Sequence, residues 1–91
     1  MRFEWDEAKR RRNIRKHRID FVGIEKAFDG HTLTVSDDRF DYGEPRFMTL
    51  ALFSGRVISI AHTELGDVIR IISVRKVTKS EEAKYFKEIE G

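Results

Sequence analysis

Four stretches dense in β-branched and apolar residues, at 32–36, 46–53, 57–63 and 68–77, follow one another in meander rhythm and read as β-strands. Ser54-Gly55 makes a tight hairpin turn, and Leu65-Gly66-Asp67 turns the chain again into the last strand. The polar stretch 37–45, which holds the single proline, is a loop. Short connections force antiparallel neighbours, because a parallel pair needs a crossover of about a dozen residues or more. Upstream the pattern is mostly helical. Phe3-Glu4-Trp5 alternates and suits a short edge strand. Asp6 is a good N-cap for a helix running to about His17, with Glu7 at its positive end and Arg15, Lys16 and His17 at its negative end. Asp20 caps a second helix whose Phe21, Ile24, Ala27 and Phe28 share one buried face, and Asp29-Gly30 stops it. Thr78 or Ser80 caps a final helix over 81–90, with Ala83 and Phe86 as packing residues. The expected architecture is α+β: two N-terminal helices and a C-terminal helix packed on a four-stranded antiparallel sheet, with room for a short N-terminal edge strand.

The last strand carries charges that an interior strand rarely holds. Regular alternation puts Arg70, Ile72, Val74 and Lys76 on one face and Ile69, Ile71, Ser73 and Arg75 on the other. An unpaired buried guanidinium costs several kcal/mol. Arg70 is therefore either one half of a structural ion pair, with Glu64 or Asp67, or it reaches the rim of the sheet and presents a fork to phosphate. Arg70 and Arg75 can serve one site only if the strand twists or bulges near Ser73. The first helix carries a second oddity. Trp5, Lys9, Asn13 and His17 recur every four residues, so from Lys9 onward a polar stripe stands where an apolar one is expected. Asn13 and His17 either hydrogen-bond into the sheet or line a cleft, and Trp5 is a core ring.

Composition narrows the chemistry. Ninety-one residues make a single domain, 1–91, and the absence of cysteine excludes disulfides, thiolate metal sites and a cysteine nucleophile. The three histidines, His17, His31 and His62, fall on different elements without metal-ligand spacing, and the glycines are isolated, so neither a metal, a cofactor nor a phosphate loop is implied. No apolar run approaches the roughly 20 residues of a membrane span, and no signal segment opens the chain, which makes the cytoplasm the default. Net charge is only +2, but residues 9–18 hold seven cations and no acid, while 37–44 hold four acids against Arg39. Such a dipolar surface suits phosphate or an acidic partner.

Arg46, His62, Arg70, Ser73, Arg75, Lys76 and Tyr85 gather around the sheet. Metal-independent RNA cleavage needs little more. A 2′-hydroxyl must lose a proton, the phosphorane must be stabilised and the leaving 5′-oxygen must gain a proton. Arginine and lysine stabilise; histidine moves protons near neutrality.

Phe3-Glu4-Trp5-Asp6-Glu7-Ala8-Lys9, Asn13, Lys16-His17, Phe21, Ala27-Phe28, Arg46, Thr63-Glu64, Gly66-Asp67, Ile69 to Ser73 and Arg75-Lys76 together resemble the BrnT toxin family over about residues 3–86. The opening F-E-W-D-x-x-K, the N-x3-H pair and the closing R-I-I-S-x-R-K are specific jointly rather than singly. Leu65 departs from the pattern where a basic residue is common, and Val77 where a small one is usual. The resemblance implies a RelE-like fold with helices on one face of the sheet. It further implies a ribonuclease toxin of a type II toxin–antitoxin pair, which blocks translation by cutting RNA, free mRNA or mRNA on the ribosome. Its partner would be a BrnA-type antitoxin with a DNA-binding domain, through which alone the complex meets operator DNA. On this reading Arg70 and Arg75 hold the scissile phosphate, Arg46 a flanking one, His62 carries the proton, and Lys76 and Tyr85 are outer contacts. Lys9, Asn13 and His17 form the alternative helix-face site, with His17 as the rival proton carrier. Two other classes stay open: a toxin of the same fold acting on a protein such as DNA gyrase, and a non-catalytic binding module.

Overall fold

The computed structural model describes residues 1–39 and 41–91; residue 40, inside the predicted loop 37–45, lies outside them. The elements run β1 (Arg2–Trp5), α1 (Glu7–His17), α2 (Glu25–Phe28), β2 (Thr32–Ser36), β3 (Phe47–Phe53), β4 (Arg56–Leu65), β5 (Val68–Lys76) and α3 (Lys79–Glu90). The sheet is five-stranded and mixed, in the order β1-β5-β4-β3-β2, which corrects the expected four-stranded antiparallel sheet. Hairpin logic does hold for β2 to β5, all antiparallel. It does not govern β1, which lies parallel to β5 with Phe3 opposite Ile69 and Trp5 opposite Ile71. Residues 6–67 separate those two strands, so a parallel pairing meets no short-loop restriction.

Helices cover both faces of the sheet rather than one. Ala51, Ile58, Ile60, Ile71 and Val74 pack with Ile19, Phe21, Ile24 and Ala27. Leu50 and Val57, each next in sequence to a member of that cluster and hence on the opposite face, pack with Tyr85 of α3. Burying Phe21 or Ile24 stabilises the fold by roughly 1.5–3 kcal/mol each. The predicted second helix is reduced to a turn and the single turn of α2. Gly23, at φ 88°, leaves the helical region, and bonds such as Ile24 N–H to Phe21 O at 3.0 Å carry the chain there. The apolar face survives all the same, with Phe21, Ile24 and Ala27 buried. On α3 the buried residue is Tyr85, whereas Ala83, expected to pack, is exposed. Thr78 and Glu81 close a full capping box at the start of α3.

The irregularity that shapes the site lies in β5. Ile71 pairs with His62 and Ser73 with Ala61, so Ile72 has no partner on β4. This bulge resets the alternation. Arg70, Ser73 and Arg75 oppose Thr63, Ala61 and Ser59, alternate residues of β4, and so share one face. Among the described residues no helix is long and apolar enough to cross a membrane.

Candidate active site

α1 is an unusually polar helix, and its one buried residue is Asn13. The Asp6 carboxylate accepts from the Ala8 and Lys9 backbone N–H groups and starts it. Arg10 donates to Glu7 and to both carboxylate oxygens of Asp20, tying the helix to the segment that follows. What holds the helix against the sheet is Asn13. Its amide donates to Val74 O at 2.9 Å and to Ile19 O at 3.0 Å, while Val74 N–H donates back to Asn13 Oδ1 at 3.0 Å. β1 ends opposite Ile71, leaving the outer edge of β5 without a strand beyond it, and the carboxamide pairs with that edge as a strand would. Three such bonds contribute roughly 0.5–1.5 kcal/mol each and fix the register of helix on strand.

Asn13 thereby suspends the polar stripe over the bulge. Lys9, Arg12, Asn13, Lys16 and His17 from α1 face Ile72, Ser73 and Arg75 from β5 across a cleft of about 430 Å³. Among the described residues no carboxylate lines it. Arg75 is held in place: its Nη1 and Nη2 donate to the two Glu81 oxygens at 2.9 and 3.0 Å, and Nη1 also donates to Lys76 O. The Arg75 hydrogen bonds, chiefly, draw the Glu81 carboxyl down to about 2. His17 is partly buried, and desolvation first, then the Lys16 and Arg75 charges, push its pKa below the usual histidine value. Its imidazole is therefore neutral at pH 7 and able to accept a proton. One fixed guanidinium, the cations around it and a neutral imidazole in one cleft can bind a phosphodiester and deprotonate a hydroxyl beside it.

The other candidate residues stand elsewhere. Arg70 shares the face of Arg75 but is 54% exposed, in a neighbouring hollow with Arg2, Glu4, Glu44 and Glu64. Its nearest acid is Glu4, at 4.0 Å, rather than the expected Glu64 or Asp67. Arg46 stacks its guanidinium 4.0 Å above the Tyr42 ring, and its Nε is buried without a hydrogen-bond partner. Lys76 is exposed and opposes Ile58, on the face away from Arg75. Tyr85 is buried, with its hydroxyl donating to His31 O at 2.8 Å. His62 is fully buried between the rings of Phe28 and Phe47, its Nε2 2.7 Å from the Thr49 hydroxyl. Burial lowers its pKa, against a smaller upward pull from the Glu64 charge. The structure thus brings Lys9, Asn13 and His17 together with Arg75 and Ser73, and leaves Arg46, His62, Arg70, Lys76 and Tyr85 outside that cleft. Arg12, Lys16 and Glu81 were missed from sequence. Arg12 and Lys16 flank the stripe at i+3 and i+7 from Lys9, a spacing that was there to read.

The family model of the ribonuclease toxin BrnT, of type II toxin–antitoxin systems, matches residues 5–81. The chain belongs to the BrnT family. The matched residues include α1, the whole of β5 and Glu81, so both walls of the cleft lie within the BrnT domain. As a BrnT toxin the protein is a ribonuclease, with RNA as substrate and an antitoxin protein as partner. The family does not favour action on a protein such as DNA gyrase, or silent binding. No curated protein matches the chain.

Proposed function

We propose that this BrnT toxin cleaves RNA in the cleft between α1 and β5, by attack of a 2′-hydroxyl on the adjacent phosphate. The observation that carries the reading is the convergence of Lys9, Arg12, Lys16 and Arg75 on neutral His17, with no carboxylate among the described residues lining the cleft. His17 takes the 2′-hydroxyl proton. Arg75, its fork fixed by Glu81, stabilises the phosphorane together with the lysines. The 5′-oxygen leaves with a proton returned by the imidazolium, giving a 2′,3′-cyclic phosphate and a 5′-hydroxyl. Hard divalent cations bind through oxygen ligands, chiefly carboxylates, so the lining supports a reaction carried by the protein's own cations. Arg70, about 13 Å along the same face at strand spacing, contacts a flanking phosphate. In this reading His62 and Tyr85 serve the fold, while Arg46 and Lys76 stand outside the reaction.

The toxin acts on mRNA in the cytoplasm, free or on the ribosome, and a BrnA-like antitoxin neutralises it and carries the complex to operator DNA. Incubating purified toxin with a labelled RNA in excess EDTA tests the chemistry. Fragments ending in cyclic phosphate are expected. Cleavage that disappears with EDTA and returns with magnesium, or 3′-hydroxyl ends, would overturn the mechanism.

A further inference from the structure

Ile72 is the residue that the bulge adds to β5. Ile71 and Val74 are buried in the core cluster, whereas Ile72 and Ser73 between them are only partly buried and line the α1 cleft. Among the described residues lining that cleft Ile72 is the one apolar side chain; the others are cations, His17, Asn13 and Ser73. Bulges stand beside active sites where a side chain has to be re-aimed. An aliphatic group offers nothing to a phosphate. RNA brings a second kind of surface, the apolar faces of its bases.

Cleavage by a 2′-hydroxyl also has a geometric requirement that cations do not meet. The attacking oxygen, the phosphorus and the leaving 5′-oxygen must come into line, and a regularly stacked strand holds the 2′-hydroxyl off that line. Parting the bases on either side of the scissile phosphate frees the ribose to turn. Proteins part base steps with apolar wedges, isoleucine among them. The three Asn13 bonds fix α1 against β5, so Ile72 stands on a rigid floor.

We propose that Ile72 is the base platform of the site. It takes the base of the nucleotide that carries the attacking 2′-hydroxyl, parts it from its 3′ neighbour and so sets the ribose for in-line attack. The contact is with a ring face, which every base has, so Ile72 acts on rate more than on choice of base. The inference rests on the reading of the α1 cleft as the place of cutting.

One short RNA that the wild type cuts at a mapped position carries the test in three forms. It is made intact, abasic at the nucleotide bearing the attacking 2′-hydroxyl, and abasic at its 3′ neighbour, with every ribose kept. Wild type, Ile72→Ala and Ile72→Leu cut each form under single-turnover conditions at saturating protein. The wild type should cut the first abasic RNA about fivefold more slowly than the intact one, the low end of what a base platform contributes. Ile72→Ala should slow on the intact RNA by a similar factor and lose the distinction between the two. Ile72→Leu, close in volume, should keep most of it. The ratio between RNAs is internal to each protein, so a fraction of Ile72→Ala that fails to fold leaves it unchanged. A ratio as large in Ile72→Ala as in the wild type overturns the proposal and leaves Ile72 a packing residue. So does a distinction that Ile72→Ala loses only at the 3′ neighbour, which would seat the other base on it. Arg75→Ala identifies a failure of the underlying reading. Were that protein to cut intact RNA at the wild-type rate, cutting would lie outside the α1 cleft and the base contact would fall with it. A slow but folded Arg75→Ala protein, with equal ratios in wild type and Ile72→Ala, keeps the cleft and removes only the platform.

Discussion

His17 and His62 are the same residue in two regions that differ in almost everything else. His17 sits at the end of a polar helix, partly buried, beside Lys16 and Arg75 in an open cleft. His62 sits in the middle of the sheet, fully buried between two phenyl rings, its Nε2 engaged by Thr49. Desolvation is the largest cause of a lowered pKa in both. A depressed histidine is thus no mark of catalysis by itself, since the core produces one as readily as a cleft. Access separates them: only one of these imidazoles can touch a substrate.

The sharpest way to break that contrast is to remove each ring in turn. His17→Ala should lower the rate of RNA cleavage by about 10²–10⁴-fold, the usual contribution of a general base, and leave the melting temperature near that of the wild type. Single-turnover cleavage and a thermal melt on the same preparation check both halves. A fully active His17→Ala protein would remove the imidazole from the mechanism and leave the cations to carry it.

His62→Ala should act on the other axis. It opens a cavity between Phe28 and Phe47 and takes away one of the two hydrogen-bond partners of the buried Thr49 hydroxyl, which keeps Thr34. Cavity and lost bond together cost about 2–4 kcal/mol. For a domain of this size that is roughly 10–25 °C in melting temperature. Cleavage per folded molecule, measured well below the melt, should stay within about a factor of a few of wild type. A stable but inactive His62→Ala protein would return the proton carrier to the core.

The two outcomes were not equally legible in the sequence. That His62 is a core residue could be read from Ile58, Ile60 and His62 alternating onto one face of β4, an ordinary period-two signal. The hairpin turns, the Asp6 cap and the apolar face of the second helix followed from local chemistry. Asn13 and Val74 are 61 residues apart, and nothing local announces that a carboxamide will complete a strand edge. The bulge at Ile72 was equally hidden, because register is set by which partner pairs with which. Sequence could state only the condition, that Arg70 and Arg75 share a face if the strand is irregular near Ser73, and the pairing of β4 with β5 meets it. The parallel β1 was lost for the same reason: its partner lies at the far end of the chain.

pH gives a smaller and more selective test. The folded pKa of His62 lies below the unfolded value of 6.5, so the unfolded chain binds the proton first as pH falls. The stability tied to the neutral ring is complete above pH 6.5 and is lost as pH drops through the folded pKa. Denaturant melts at pH 7.5 and in the acid range should show that loss in the wild type and a flatter profile in His62→Ala. His17 shifts in the same direction but is only partly buried, so His17→Ala should keep most of the slope. In cleavage the assignment reverses. The rate should fall as pH drops below the lowered His17 pKa, where the base becomes protonated. A pH slope in stability that survives in His62→Ala and vanishes in His17→Ala would mean that burial does not rank the two rings.

The smallest effect is expected at Arg70, where the sequence suggested a large one. Were Arg70 half of a buried ion pair, its loss would strand an acid and cost about 3–5 kcal/mol. Its side chain is instead 54% exposed, and Glu4, 4.0 Å away, is itself 52% exposed. Surface pairs of this kind contribute about 0–1 kcal/mol, and water solvates Glu4 once the guanidinium is gone. Arg70→Ala should therefore shift stability by no more than about 1 kcal/mol. On activity it should act as a flanking phosphate contact. RNA affinity should fall severalfold and become less sensitive to salt, while the rate on saturating RNA stays near wild type. A denaturant melt and a salt series of cleavage rates, below and above saturation, separate these effects. A collapse of the saturated rate in a protein that melts normally would put Arg70 at the scissile phosphate and extend the site along β5 beyond the α1 cleft.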